Sequence, residues 1–135
     1  SERQKAAVLF YAPTDSAFGR ALARLNAVPS LRRIGYRPDV ATAPAEMALH
    51  ASKSWDVVVV GVEEAASIVT RIAPASLAHL VGVVDQGRSL EAVAAKTSYP
   101  MLMPQPTRTQ DLLDALDEAA GRAAGDRAQA EAKRR

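Results

Sequence analysis

The stretch Trp55-Asp56-Val57-Val58-Val59-Val60-Gly61-Val62 constrains the fold more than any other part of this sequence. Four consecutive β-branched residues, entered through an aspartate and left through a glycine, predict a strand that is apolar on both faces. Such a strand has no side to show to water. It belongs in the middle of a parallel sheet with helices packed on each face.

The flanking segments read as the strands and helices that such a sheet needs. Ala6 to Tyr11 is an apolar run stopped by Pro13 and predicts the first strand; Thr14, Asp15 and Ser16 are helix-start residues. Phe18, Leu22 and Leu25 recur at helical spacing, with Asn26 and Pro29 expected to close that helix. Gly35 to Ala41 predicts a turn and a second strand, and Pro38 favours an edge position for it. A second helix is expected from Ala45 to Lys53, with Met47 and Leu49 available for burial.

After the central strand, Glu63 to Ala73 predicts a third helix carrying Ile68, Val69 and Ile72 and ended by Pro74. Leu80 to Val84 is a fourth apolar strand, and Ser89 can cap a fourth helix over Leu90 to Lys96. Tyr99 to Met103 predicts a fifth strand between prolines. Thr107 or Thr109 is expected to cap the last helix, in which Leu112, Leu113 and Leu116 form the buried stripe.

Five strands alternating with five helices in one chain of 135 residues predict an α/β fold, a three-layer α/β/α sandwich. Connections of this length, each holding a helix, require parallel pairing with right-handed crossovers. The expected strand order is 2-1-3-4-5, the flavodoxin-like arrangement, with its functional face at the C-terminal ends of strands 1, 3 and 4. Residues 1–121 are expected to form the domain and 122–135 a charged C-terminal linker or helical extension, loosened by Gly121 and Gly125.

Charge and composition exclude several function classes. The net charge of +2 is local: residues 122–135 carry a surplus of three positive charges, so the rest is near neutral. That is a poor match to a DNA-binding surface. There is no cysteine, hence no disulfide framework or thiolate metal site. No apolar run approaches the roughly 18 residues of a membrane span, and no signal peptide is visible. A chain that begins at Ser1 and ends in a charged helical tail is expected to be a cytoplasmic piece of something longer.

The layout resembles the receiver domain of bacterial two-component response regulators over Ala6 to about Ala120. Gly35-Tyr36 to Leu49 is similar to the family's second strand and helix, and Trp55 to Val60 to its third strand. The resemblance implies an acidic pair after strand 1 that holds Mg²⁺, an aspartate at the end of strand 3 that accepts a phosphoryl group, a hydroxyl after strand 4 and a lysine after strand 5. Here the acidic pair falls at Ala12 and Pro13 and the phosphoacceptor at Gly61. The hydroxyl position is Val84 or Asp85, and the lysine position is Met103 or Gln105. Asp56 begins its strand and cannot serve at the other end; Asp15 and Asp85 read as a helix cap and a loop turn. Val62 runs into Glu63-Glu64 without the family's Pro-Gly loop. The resemblance therefore implies a degenerate receiver, or pseudo-receiver, that is not an enzyme and holds no metal, with a hybrid histidine kinase as one setting.

Nothing else in the sequence assembles a catalytic site. His50 and His79 share no ligand spacing, Ser16, Ser52 and Ser54 have no triad partners, and no glycine-rich phosphate loop follows strand 1. The segment from Tyr99 to Arg108 is the most unusual, with Tyr99, Met101, Met103 and Pro104 available for an interface. An edge strand with a proline-terminated loop accounts for the same residues. The resemblance implies docking through the fourth helix, fifth strand and last helix onto a histidine kinase, an output domain or a second receiver, with no DNA or membrane contact. Some pseudo-receivers bind cyclic di-GMP near this face, and Arg88, Tyr99, Gln105, Arg108, Asp126 and Arg127 are the residues of matching type. No other cofactor is implied.

Overall fold

The four valines form a strand in which alternate side chains enter two separate cores. The structure is a computed structural model that describes residues 5–50, 53–65 and 79–134. Its strands are β1 (Ala7–Tyr11), β2 (Arg37–Ala41), β3 (Val57–Gly61), β4 (His79–Val84) and β5 (Met101–Pro104). Its helices are α1 (Ala17–Arg24), α2 (Ala27–Arg33), α3 (Pro44–His50), α4 (Val62–Ala65), α5 (Leu90–Lys96) and α6 (Thr109–Lys133). The sheet is parallel throughout, in the order β2-β1-β3-β4-β5. This is the arrangement expected from the sequence, with β2 and its Pro38 on an edge.

Side-chain alternation explains the two cores. Val8, Phe10, Val57, Val59, Val81, Val83 and Met103 face one side, where Phe18, Leu22, Leu31, Leu112 and Leu116 pack on them from α1, α2 and α6. Ala7, Leu9, Tyr11, Val58 and Val60 face the other, against Met47 of α3 and Ala65 of α4. All four valines are at most 1 % exposed, and burying each stabilises the fold by about 2 kcal/mol.

Several local expectations need correction. The first helix does not close at Asn26 and Pro29. It ends at Arg24, Asn26 takes a left-handed conformation (φ 51°), and the chain re-enters a helix at Ala27. Pro29 lies in the first turn of α2, where a missing N–H leaves no helical bond unmade. Leu49 is 75 % exposed rather than buried. Strand 5 begins at Met101, not Tyr99, and Arg108 takes the N-cap position of the last helix without a side-chain cap, with Thr109 its first residue. The part of the expected third helix beyond residue 65, with Ile68, Val69, Ile72 and Pro74, lies outside the described residues.

Ser16 caps α1. Its hydroxyl accepts the Gly19 N–H (2.9 Å) and donates to the Pro13 carbonyl (2.6 Å). That fold-back brings Pro13 O so close to Gly19 that any Cβ there would overlap it. Glycine is therefore required at the position for steric reasons.

Helix α6 crosses Gly121 and Gly125 without a break. Ala119 and Ala123 are buried under it, and Arg127 fastens its far end. One Arg127 nitrogen donates to the Trp55 carbonyl (3.0 Å) and another pairs with the Asp56 carboxylate. The second Asp56 oxygen accepts the Ala7 N–H at 2.7 Å. Asp56 thus ties the start of β1 and the last turns of α6 to β3.

Removing Asp56 leaves two donors without an acceptor, whereas removing Arg127 loses a half-exposed pair. Asp56→Ala is expected to cost about 2–3 kcal/mol in urea unfolding, and Arg127→Ala about 1 kcal/mol. The Arg127 effect is smaller in an Asp56→Ala background, where only its bond to the Trp55 carbonyl remains. Equal and additive losses would show that the pair does not act as described.

Candidate functional site at the C-terminal strand ends

The register brings the strand tips level. Tyr11 lies beside Val60, Gly61 beside Val83 and Val84 beside Pro104. Ala12 donates its N–H to the Ala41 carbonyl (2.9 Å), and Gln105 donates to the Val84 carbonyl (3.0 Å). Ala12, Gly61, Asp85 and Gln105 therefore sit at or just past the ends of β1, β3, β4 and β5. Ala12 is buried and Pro13 has no polar side chain, so the tip of β1 offers no carboxylate.

The tip of β3 is occupied by another residue. Helix α4 begins at Val62 with no intervening loop, and the Glu64 side chain folds back so that its carboxylate overlaps the position of any Cβ on Gly61. Tyr11 lies close by: burial first, and then the Glu64 charge, push its hydroxyl above the ordinary tyrosine pKa. Glu63, the neighbour of Glu64, pairs with Arg88 across the gap to β4 at 2.9 Å. Asp85 stands beside that pair. Burial and the adjacent Glu63 carboxylate raise its pKa, and Arg88 and Arg20 oppose the rise.

Glu63, Glu64 and Arg20 thus belong to this end of the sheet, and sequence reasoning assigned a site role to none of them. The signal available was the pair of glutamates directly after Gly61. First-turn helix side chains point back toward the N-terminal end of their helix, and here that end is the strand tip. Among the described residues no group of three or more His, Asp or Glu side chains is placed to hold a metal ion.

The residues of the expected interface and ligand set separate. Arg88 and Gln105 line a cavity of about 620 Å³ between the ends of β4 and β5 and the start of α6, together with Asp85, Met103, Pro104 and Asp111. Gln105 Oε1 is itself buried and without a partner. Arg108 is held at the rim by Asp111 (2.9 Å). Met103 is only 5 % exposed in the first core, so it does not project as an interface side chain, whereas Met101 is half-buried against that core. Tyr99 packs on the opposite face near Leu80 and against Gly82, and burial raises its pKa. Asp126 lies near His79 at the start of β4, and Arg127 is committed to Asp56. Those two are at the other end of the sheet.

Because the pKa of Asp85 is raised in the folded state, its contribution to stability is fully present below the unfolded value near 3.8 and is lost as pH rises through the folded value. Asp85→Asn is therefore expected to be more stable than the wild type in urea at pH 7, with the difference vanishing below about pH 4. A variant less stable at pH 7 would mean that Asp85 is held by contacts favouring its charge.

No family model matches the sequence, and no curated protein matches it significantly. Solved structures do match. A response regulator receiver protein from Sinorhizobium medicae WSM419 superposes with a TM-score of 0.60 at 13% identity, covering 88% of this chain and 97% of that one. A receiver protein from Burkholderia phymatum gives 0.61 at 18% identity, with coverages of 85% and 95%. A CheY-like receiver domain protein from Methanospirillum hungatei JF-1 gives 0.61 at 11% identity, with coverages of 88% and 98%. The chain has the fold of a response regulator receiver domain, with no carboxylate at Ala12, Pro13 or Gly61.

Proposed function

We propose that this chain is a regulatory domain of bacterial two-component signalling that does not take up a phosphoryl group and acts by docking. The observation that carries the reading is the tip of β3: Gly61 has no side chain, and the Glu64 carboxylate fills the space one would need. Ala12 and Pro13 add no metal ligand, and neither Met103 nor Gln105 supplies a cation at the end of β5. The partners that fit the fold are a histidine kinase, an output domain or a second receiver.

The docking surface assigned is the one formed by α5, β5 and α6. Leu90 remains 38 % exposed on α5, beside the cavity at the β4 and β5 tips. The edge strand of this surface is β5, four residues long and flanked by Pro100, with Pro104 as its last residue. Proline lacks the N–H that would pair with another strand. This edge is suited to side-chain docking rather than strand addition.

Incubation with acetyl phosphate and Mg²⁺, followed by intact-mass measurement, is expected to show no phosphate added. Gly61→Asp is also expected to stay unmodified, because it restores the acceptor without the carboxylates that hold the metal. Stoichiometric aspartyl phosphate on the wild-type chain would reject the reading.

A second reading is favoured by the cavity that Arg88 and Gln105 both line, Gln105 having a buried, unpartnered Oε1. In it, cyclic di-GMP controls docking by binding between the ends of β4, β5 and α6. The ligand would then raise the melting temperature, and Arg88→Ala would remove the rise. An unchanged melting temperature at millimolar ligand rejects it.

A further inference from the structure

The N-terminal end of the sheet, away from the strand tips, carries a second cavity, of about 530 Å³, where α2, β2 and the segment before β3 meet. Arg32 near the end of α2, Arg37 at the start of β2 and Lys53 ahead of β3 all line it. Asp39 is the one carboxylate among the lining residues, which leaves a surplus of two positive charges. All three cations are exposed, and none forms an ion pair with a described residue. Arg88, Arg108, Arg122 and Arg127, by contrast, each have a carboxylate partner. Like charges that outnumber the counter-charge around a concave surface concentrate a positive potential there.

Two aromatic lining residues are held in fixed positions. Tyr36 and Trp55 are 4% and 7% exposed. The Tyr36 hydroxyl donates to Asp117, and the Trp55 ring N–H donates to the His50 carbonyl at 3.0 Å. Fixed aromatic residues beside basic ones suit a ligand with an anionic group on an apolar body.

We propose that this cavity binds a phosphate-bearing small molecule of nucleotide size. Arg32, Arg37 and Lys53 hold the phosphate, and the body lies against Tyr36, Pro38 and Trp55. A phosphate monoester carries close to two negative charges at pH 7, which the surplus on the wall balances, and arginine forks match its oxygens in pairs. A volume of about 530 Å³ falls in the range of small-molecule sites. The near-neutral charge of the rest of the domain gives no basic track for a nucleic acid to follow. The site also adjoins the fastening of α6: Ala7 and Trp55 line it, and the same two residues bond to Asp56 and Arg127. The proposal is independent of the phosphorylation chemistry at the opposite strand ends.

Trp55 is the single tryptophan of the chain, so its emission reports on the cavity lining. The full chain is titrated with ADP, pyrophosphate and adenosine at constant ionic strength, following tryptophan emission and melting temperature. ADP and pyrophosphate are expected to change the emission saturably and, at about ten times the Kd, to raise the melting temperature by about 5 °C. Adenosine is expected to do neither. Tighter binding of ADP than of pyrophosphate supports the contact with the body of the ligand; equal affinities overturn it. Arg32→Gln and Arg37→Gln each weaken binding by about tenfold while leaving the unliganded melting temperature unchanged, since both side chains are exposed. No response to either phosphate compound at about 10 mM, or a response that survives in the double variant, overturns the proposal.

Discussion

The space above Gly61 is occupied, and the character of the functional end of this sheet follows from that. A side chain on Gly61 and the Glu64 carboxylate in its present place exclude one another on steric grounds. The exclusion arises because β3 passes into α4 with no loop between Gly61 and Val62. In that setting the Glu64 side chain lies back over the strand end. Glu63 is drawn to Arg88 by the same geometry, and Asp85, next to that pair, is left in a setting that favours its protonated form.

The rest of the structure holds that end in place. Valines packed on both faces fix β3 in the middle of the sheet, and the two cores they enter join helices from opposite sides. At the N-terminal end, Asp56 draws β1, β3 and α6 together through the Ala7 N–H and Arg127. One strand therefore begins in a charged fastening and ends in a carboxylate lid, with four fully buried side chains between.

The layers and the strand order were legible in the sequence, because continuous apolar runs separated by helix-length segments leave few ways to build a sheet. The break between α1 and α2 was not. It depends on Asn26 taking a left-handed conformation, which composition permits but does not announce. The missing carboxylates at Ala12, Pro13 and Gly61 could be read directly, whereas Glu63 and Glu64 filling the gap required knowing that α4 starts at once. The grouping of Arg108 with Arg127 failed for a geometric reason. Both lie at one helix, but a helix rises about 1.5 Å per residue, so nineteen positions of α6 carry Arg127 roughly 28 Å away, to the opposite end of the sheet. The basic cavity was also hidden, since Arg32, Arg37 and Lys53 come from three segments that only the fold brings together.

The proposal stands or falls on whether the tip of β3, covered by the Glu64 carboxylate, can take a phosphoryl group. Amide shifts of the labelled chain, recorded as Mg²⁺ and beryllofluoride are added, test it most directly. The account predicts that the amides of Ala12, Gly61 and Asp85 do not move. Saturable shifts at those three amides, dependent on both additions, would contradict it.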